Sequence, residues 1–366
     1  MRIGLKALII LILLNLLFAL FTPIPVLGKI SLYNRIFPGR MRFPYGDDPE
    51  LSYNLSLTQL DGMFSSHELD AVIKDEDEFR IVLIGDSSVW GFLLPPHETL
   101  ASQFNAFEVD LKEGRRMKAH NLGYPTMSLA KDLVIMERVM TYEPDLIIWL
   151  VTLESFPRSL QLGSPIIQSN PAEALALLDK YDLASLNENS ILSEPSFWKN
   201  TIFGQRRVIA EMVRHQSYGV LWAATSVDHH IPETYNPRVE DLEDDETFQV
   251  FDQGELQADD LAFNVIRAGI QIADNVPLLI VNEPIFISEG LNSDIRYNYY
   301  YPRWAYDAYR SMMQSAATNE GWDYIDAWDF IPAEEFTDSS IHYTGEGAGL
   351  LVSILVDEII SMAQSE

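Results

Sequence analysis

The sequence contains no cysteine, and this absence removes several classes of chemistry at once. Without thiols the protein has no disulfides, no cysteine-ligated zinc or iron–sulfur cluster, and no thiol nucleophile. A lipid-modified N-terminal cysteine is excluded for the same reason. The redox character of the compartment does not follow from the absence.

Positive charge is scarce as well. The 366 residues include 25 Lys and Arg against 54 Asp and Glu, which gives a net charge of -29 at pH 7. Such a surface repels phosphate backbones, so nucleic acid is not an expected partner. The acidic residues concentrate in KDEDE (74–78) and EDLEDDE (240–246), which are typical of solvated loops. A calcium site is the alternative interpretation of these two runs.

Long apolar runs are limited to one, at the N-terminus. It covers residues 7–21, is interrupted only by Asn15, follows two basic residues, and is ended by Pro23. Its length is near the minimum for a membrane-spanning helix and also suits a signal peptide. We expect residues 1–28 to be a signal anchor or a cleaved signal peptide. The globular part would then be membrane-anchored outside the cytoplasm, or secreted; a buried N-terminal helix is the alternative.

The rest of the chain alternates short apolar runs with amphipathic helical segments, which is typical of βαβ units and a mainly parallel sheet. Right-handed crossovers then predict a three-layer α/β/α sandwich of about five strands. The predicted strands are RIVLI (80–84), MKAHNL (117–122), DLIIWLV (145–151), PLLIVNE (277–283) and DYIDAW (323–328). The predicted helices cover 97–112, 128–142, 194–216, 303–319 and 345–363.

The spacing of these elements suggests a domain organisation. Residues 29–79 form an irregular lead-in that we expect to pack on the domain. Residues 80–366 form the main domain, interrupted by a helical insertion at 156–276. An insertion of this length inside a compact unit predicts a subdomain or a lid that shapes the site.

The first predicted strand ends in GDSSVWG (85–91), which raises the question of why a buried strand runs into Gly-Asp-Ser. A simple turn is one answer. A serine nucleophile at the carboxyl end of a parallel strand, where ligand sites lie, is the other. Such a serine needs a histidine base and a group that orients it. Of seven histidines, only His342 lies in a polar loop between the last strand and a helix, with Asp338 four residues earlier.

These residues resemble the SGNH/GDSL family of serine esterases and acyltransferases, whose fold is flavodoxin-like. The first family block, Gly-Asp-Ser-x-x-x-Gly, is complete at 85–91. The resemblance implies that Ser87 is the nucleophile and that its N–H is one oxyanion donor. It implies that the N–H of Gly123, in HNLGYPTMS, is the second donor, and that Asp338 and His342 complete the triad. The likeness covers roughly residues 80–152 and 277–360.

The chain departs from the family at two places. The family usually separates its Asp and His by three residues, a spacing that would select Ser339; Asp338 is preferred because a serine cannot stabilise an imidazolium. The third block, usually Gly-x-Asn-Asp, places Thr152 and Glu154 where the family has Gly and Asn. An ionised Glu154 would oppose a developing oxyanion. Three explanations are consistent with an active enzyme: Glu154 is protonated or turned away, Thr152 or Ser155 donates the hydrogen bond to the oxyanion instead, or the catalytic power is reduced. It is equally consistent that Glu154 only ends a strand and has no functional role.

Further candidates follow later strands. Asn282 and Glu283 come after the fourth predicted strand, so they either face the substrate at the same sheet edge or cap a loop. SDIRYNYYYPRW (293–304), with Arg296, suits sugar rings but equally a packed surface loop. We therefore list Asn282, Glu283, Glu154 and Arg296 as candidate substrate-binding residues. No glycine-rich phosphate loop or dinucleotide fingerprint is present, and the DHH at 228–230 has no second ligand cluster, so no cofactor or metal is predicted.

The resemblance implies a serine esterase or O-acyltransferase that acts on O-acyl esters through an acyl-serine intermediate. Family members with an N-terminal membrane segment often act on acetyl groups of cell-surface polysaccharide, which makes acetylated carbohydrate the expected substrate. The expected partners are thus an acyl ester substrate, polysaccharide among them, and the membrane through the N-terminal helix. The competing hypothesis is a catalytically inactive SGNH-like protein that binds glycan or acts as a scaffold.

Overall fold

The structure is a computed structural model that describes residues 2–32, 34, 39–46, 55–107, 109, 111, 114–229 and 231–365. Contacts within the chain divide it into two compact units, each made of two stretches of sequence. The first unit comprises Met1–Ile73 with Pro165–His230, and the second Lys74–Ser164 with Ile231–Glu366.

The second unit is built on a five-stranded sheet in which every neighbouring pair of strands is parallel. The strand order is β2-β1-β3-β4-β5, which confirms the predicted parallel α/β sheet. The strands are β1 (Glu78–Ile84), β2 (Arg116–Asn121), β3 (Leu146–Val151), β4 (Leu278–Asn282) and β5 (Asp323–Asp326).

Helices of both units connect and flank these elements. In chain order they are α1 (Arg2–Phe21), α2 (Ile24–Gly28), α3 (Leu60–Ser66), α4 (Glu68–Ala71), α5 (Ser87–Trp90), α6 (Leu100–Ala106), α7 (Leu129–Val139), α8 (Pro165–Ser169), α9 (Pro171–Lys180), α10 (Arg206–Thr225), α11 (Phe263–Ala273), α12 (Arg303–Glu320) and α13 (Gly345–Ser365). Short 3₁₀ turns lie at Pro96–Glu98, Met140–Tyr142, Leu153–Ser155, Arg158–Leu160, Ala184–Asn187, Val227–His229, Ala258–Asp260 and Ala333–Glu335.

Strand β3 is apolar along its whole length because helices cover both faces of the sheet. All seven residues of β1 are buried. Ile81 and Leu83, two residues apart, share one core cluster with side chains of α6 and α13. On β3, the Trp149 ring lies where Gly269 of α11 leaves room, since a Cβ there would come within 2.4 Å of it. The sheet is therefore the middle layer of three.

The first unit contains the N-terminal helix α1. Within its 20 residues, an 18-residue window has a mean hydropathy of 2.6 and is almost entirely exposed, so the helix is long and apolar enough to cross a membrane, as a signal sequence also would be. The same unit ties the N-terminal stretch to residues 165–230 through side-chain amides. Gln216 bonds the backbone of Ile30 and Leu32, and Asn170 bonds that of Thr58 and Leu60.

These contacts differ from the predicted organisation. Of the lead-in expected at 29–79, the residues up to 73 belong to the same unit as residues 165–230 and not to the unit that contains the sheet. The insertion expected at 156–276 is divided between the units, because its last part supplies α11 beside β3. The helix predicted at 194–216 begins only at Arg206, and turns precede it. Such long-range pairings leave no periodic signal in the sequence.

Candidate active site

The Gly-Asp-Ser segment forms a tight turn between β1 and α5. Asp86 is the residue before the helix, and its carboxylate accepts a hydrogen bond from the N–H of Ser88 at 2.9 Å, in the manner of an N-cap. Gly91 ends the helix with a φ of 84°, which disfavours residues that carry a Cβ. The turn places Ser87 at the carboxyl edge of the sheet, as the sequence predicts.

Ser87, His342 and Asp338 are joined by hydrogen bonds. Ser87 Oγ lies 2.7 Å from His342 Nε2, and His342 Nδ1 lies 2.8 Å from Asp338 Oδ1. Burial tends to raise the pKa of Asp338, but the hydrogen bond and charge of His342 hold it below its usual value. Phe92 stacks on the imidazole, with ring centres 4.7 Å apart. The arrangement has the geometry of a nucleophile, a base and an orienting carboxylate.

The unusual Asp–His spacing is accommodated by a closed loop. Phe336 and Tyr343 form an antiparallel bridge on either side of it, and Thr337 N–H donates to the carbonyl of His342 at 2.7 Å. This closure brings the two ends of the loop together, so that an intervening stretch of three residues still allows Asp338 to reach the imidazole.

The two predicted oxyanion donors differ in whether their N–H groups are already hydrogen-bonded. Among the described residues, none accepts a hydrogen bond from the Ser87 N–H. The Gly123 N–H donates to Asn121 Oδ1 at 3.1 Å, and the Asn121 amide donates to the carbonyl of Val89 at 2.7 Å. A Cβ on Gly123 would lie 2.4 Å from the backbone nitrogen of Trp90, so only glycine allows this approach. Gly123 is thus next to the nucleophile turn, with its N–H engaged by Asn121.

The third-strand block is turned away from a donor role. The Thr152 hydroxyl is buried and shares a hydrogen bond with Tyr301 at 3.0 Å. Glu154 accepts a hydrogen bond from the side-chain amide of Gln249 at 2.6 Å. Burial raises the pKa of Glu154 to about 7, although that hydrogen bond opposes the shift. At neutral pH a substantial fraction of Glu154 is therefore protonated.

Two of the four candidate substrate-binding residues are used inside the fold instead. Asn282 is fully buried; its amide donates to Asp326 at 2.8 Å, and its carbonyl accepts from Tyr309 at 3.1 Å. Arg296 is also buried, and its guanidinium donates to three backbone carbonyls, those of Asp245, Asn298 and Tyr299. The position of Asn282 at the carboxyl edge of the sheet did not predict its structural role, because later segments of the chain cover the strand ends.

Glu283 lies beneath the nucleophile turn. It is buried and accepts a hydrogen bond from the hydroxyl of Ser88, the residue after the predicted nucleophile. Burial raises its pKa well above the usual value, and the nearby Asp86 carboxylate raises it further. A neutral Glu283 can donate its proton towards Asp86 while it accepts from Ser88. Glu283 therefore supports the turn rather than facing a substrate.

The sequence interpretation missed Lys131, which is fully buried on α7. Its ammonium donates to the carbonyls of Gly85 at 2.7 Å and Tyr124 at 3.1 Å, and pairs with Asp132 at 2.7 Å. Gly85 precedes the nucleophile turn, and Tyr124 follows Gly123, so one cation links the two segments that carry the predicted oxyanion donors. Burial raises the pKa of Asp132 to about 6, although Lys131 opposes this. No local pattern distinguishes this lysine from a surface one.

Tyr300 is a second residue that the sequence interpretation did not single out. Burial raises its pKa, its hydroxyl hydrogen-bonds Ser339, and the charges of Glu154 and Asp86 act on it. A partly exposed phenol therefore lies among groups of the site. The tyrosine run at 299–301, whose composition suits sugar rings, is the sequence feature that could have pointed to Tyr300.

Known proteins offer only distant likenesses. No family model and no curated protein matches the chain. Similar solved structures include a carbohydrate acetylesterase from Sinorhizobium meliloti (13% identity, TM-score 0.34) and an aryl esterase from M. smegmatis (11%, 0.33), each covering 77% of this chain and 99% of its own. Another is an α/β hydrolase from the metagenome of Lake Arreo (13%, 0.32), covering 76% and 93%. Likeness at these identities and TM-scores supports no conclusion about the site. The strand order and the side-chain geometry are the observations that bear on it.

Proposed function

We propose that this protein is a serine esterase or O-acyltransferase that works through an acyl-serine intermediate. The observation that carries the proposal is the pair of hydrogen bonds from Ser87 Oγ to His342 Nε2 and from His342 Nδ1 to Asp338 Oδ1, at 2.7 and 2.8 Å. Both lie within the range expected for a poised general base. Ordinary buried histidines do not contact a serine and a carboxylate in this order.

In the proposed reaction, Ser87 Oγ forms a bond to the carbonyl carbon of the ester while its proton passes to His342 Nε2. The tetrahedral intermediate places its oxyanion against the Ser87 N–H, and against the Gly123 N–H once Asn121 releases or shares it. The bond to the alcohol oxygen then breaks, and His342 returns the proton to that oxygen. Water or a second hydroxyl next attacks the acyl-serine and gives its proton to His342. The bond between the acyl carbon and Ser87 Oγ then breaks, His342 returns the proton to Ser87 Oγ, and the acid or the new ester leaves.

The acyl group is proposed to be acetyl and the substrate an ester of cell-surface carbohydrate. The family resemblance of the 85–91 and 338–342 segments supports this, together with the partly exposed Tyr300 and the exposed Tyr299 beside the site. Helix α1 supports a location at the membrane or beyond it. The proposed enzyme would thus meet its substrate outside the cytoplasm.

The test is turnover of p-nitrophenyl acetate by the full chain in detergent, compared with Ser87→Ala and His342→Ala. We expect each variant to lose activity by about 10⁴-fold or more. Thr344→Ala, in the same loop but outside the triad, is the control for general damage. Labelling of Ser87 by a fluorophosphonate gives an independent measure of serine activation, because it needs no acyl acceptor.

One observation favours the non-catalytic alternative. The Gly123 N–H is already bonded to Asn121, and Glu154 occupies the place of the usual third donor. A glycan-binding or scaffold protein would need no oxyanion site. Absence of both turnover and fluorophosphonate labelling in the wild type would support that alternative over the enzyme. Labelling without turnover would support an acyltransferase that lacks its acceptor.

A further inference from the structure

Exposed aromatic side chains gather in the turn that precedes α10. We name residues 196–205 the aromatic turn. Phe197 is 41% exposed, and Trp198 and Phe203 are each 73% exposed. Large aromatic side chains grouped on a protein surface mark an interaction site rather than ordinary solvent contact.

The aromatic turn contacts the N-terminal helix directly. The backbone N–H of Phe203 donates to Asn15 Oδ1 at 3.2 Å, and the Asn15 amide donates to the carbonyl of Leu11 at 2.9 Å. The one polar residue of the apolar run therefore holds the turn against the helix. Asn15 lies six residues before Phe21, or about 9 Å along the axis at 1.5 Å per residue.

This contact determines how deeply the aromatic turn would lie in a membrane that α1 spans. A helix of 20 residues is about 30 Å long, which matches the hydrocarbon thickness of a bilayer. If α1 spans that layer, Asn15 lies about 9 Å inside its edge, and the Phe203 backbone lies beside it at the same depth.

Several backbone groups of the aromatic turn are hydrogen-bonded to side chains, as an apolar environment requires. The Phe203 N–H is bonded to Asn15, and its carbonyl accepts from Arg206 at 2.8 Å. The Trp198 carbonyl accepts from the Thr201 hydroxyl at 2.8 Å, which in turn accepts from the Gly204 N–H at 3.1 Å. Unpaired backbone groups cost several kcal/mol each in hydrocarbon, so side-chain pairing of this kind is what immersion requires.

Positive charge flanks the aromatic side chains in an otherwise acidic protein. Lys199, Arg206 and Arg207 are exposed, and the Arg206 guanidinium lies over the Phe203 ring at 4.7 Å. Basic residues at the border of an apolar segment are attracted to anionic headgroups. Aromatic rings are enriched at the same interface.

We propose that the aromatic turn inserts into the lipid leaflet nearest to Phe21, alongside α1, with Lys199 and Arg207 reaching towards the phosphate level while Arg206 stays paired with the Phe203 carbonyl. The occupant of this surface is therefore acyl chain and headgroup, not another protein. The proposal rests on the membrane anchoring given under the proposed function. It adds a second membrane contact, separated from the first by about 180 residues of sequence.

The absence of native cysteine allows a direct test on the full chain. Phe203→Cys is labelled with an environment-sensitive nitrobenzoxadiazole dye and reconstituted into vesicles of phosphatidylcholine and phosphatidylglycerol. We expect a blue-shifted emission that brominated acyl chains quench. Leu13→Cys, inside α1, is the positive control. Asp244→Cys, exposed within an acidic run that lipid excludes, is the negative control.

The outcomes separate the two claims. Quenching at positions 13 and 203 but not at 244 supports immersion. Quenching at 13 alone overturns the proposal while the anchor remains. Quenching at neither 13 nor 203 overturns both. A blue shift at 203 that follows protein concentration in detergent, without lipid quenching, identifies a second copy of the chain as the occupant and also overturns the proposal.

Discussion

Polar residues follow four of the strands, but those after β1 and in the loop beyond β5 are used differently from those after β3 and β4. Ser87 and His342 keep partly open side chains that bond to each other. Thr152 and Asn282, at the ends of β3 and β4, are fully buried and bond to tyrosine hydroxyls. All of them occupy the edge of the sheet where ligands are expected.

The difference comes from what the chain places above each strand end. The segment from Tyr301 through the first half of α12 covers β3 and β4 with phenol side chains. Over β1, no such segment among the residues that the structure describes lies against Ser87, and the final loop comes to it with His342 instead. Position at this edge of the sheet therefore does not by itself leave a polar side chain open to a ligand. The predictions below test this contrast between the open and the covered half.

The largest effect is expected in the open half, at Asp338. Asp338→Asn should lower kcat by about 10⁴-fold, because the amide favours the wrong tautomer of His342 and cannot stabilise its imidazolium. Stability at neutral pH should change little by comparison. Ester turnover and thermal melting measure the two effects.

The matched control is Ser339→Ala, at the position that the usual family spacing would select. It should leave kcat within about tenfold of the wild type, a change of about 1.4 kcal/mol in the barrier. A larger loss in Ser339→Ala than in Asp338→Asn would show that the four-residue spacing is not the working one.

The next effect concerns Lys131, which links the two segments of the open half from below. Lys131→Met should cost about 3–5 kcal/mol of folding stability, since it leaves Asp132 buried without its cation. It should also lower kcat more than it changes KM, because the Gly85 and Tyr124 carbonyls lose their common donor. Urea unfolding and steady-state kinetics measure these effects.

A double variant separates support of the site from bulk stability. Lys131→Met with Asp132→Asn removes the charge and its partner together, so stability should partly recover. Catalysis should not recover, because the bonds to Gly85 and Tyr124 stay broken. Full recovery of kcat in the double variant would show that Lys131 matters only for folding.

The sequence alone suggested Ser87, Asp338 and His342, which the structure brings together, and the physical reason is local. An apolar run into Gly-Asp-Ser and a polar loop with His342 are both contained in short stretches. For Asn282 and Arg296 the sequence left substrate binding and a structural role both open, because their hydrogen-bond partners include segments distant in the chain, such as Tyr309 for Asn282. The parallel sheet followed from periodicity, whereas the pairing of residues 1–73 with 165–230 depends on contacts between distant residues.

Glu283 tests whether the covered half supports the nucleophile turn. Glu283→Gln keeps the shape and the neutral state, so activity near neutral pH should be nearly unchanged and stability there should not fall. Glu283→Ala should cost about 1–3 kcal/mol or more, because Ser88 and Asp86 lose a buried partner. Chemical unfolding of both variants measures the difference.

The pH dependence gives a further check with a definite sign. Because the folded pKa of Glu283 is raised, the native state binds a proton that the unfolded state releases above about 4.3. The stability linked to this group is complete below that pH and is lost as pH rises towards the folded pKa. Glu283→Gln should flatten this decline. An unchanged slope would show that Glu283 is not held neutral.

The smallest effect is expected at Glu154, which stands between the two halves. With a pKa of about 7, its ionisation should oppose the oxyanion above neutral pH. The wild-type pH–rate profile should therefore decline above neutral pH. Glu154→Gln should remove this decline, with a difference at high pH of about tenfold or less.

Gln249→Met sharpens the same test without touching Glu154. The Gln249 amide stabilises the ionised carboxylate at 2.6 Å, so its removal should raise the pKa of Glu154 further and move the alkaline limb to higher pH. If Gln249→Met moves the limb while Glu154→Gln abolishes it, Glu154 belongs to the open half and controls the oxyanion electrostatically. If neither variant alters the limb, Glu154 only ends a strand, and the boundary between the two halves lies between β1 and β3.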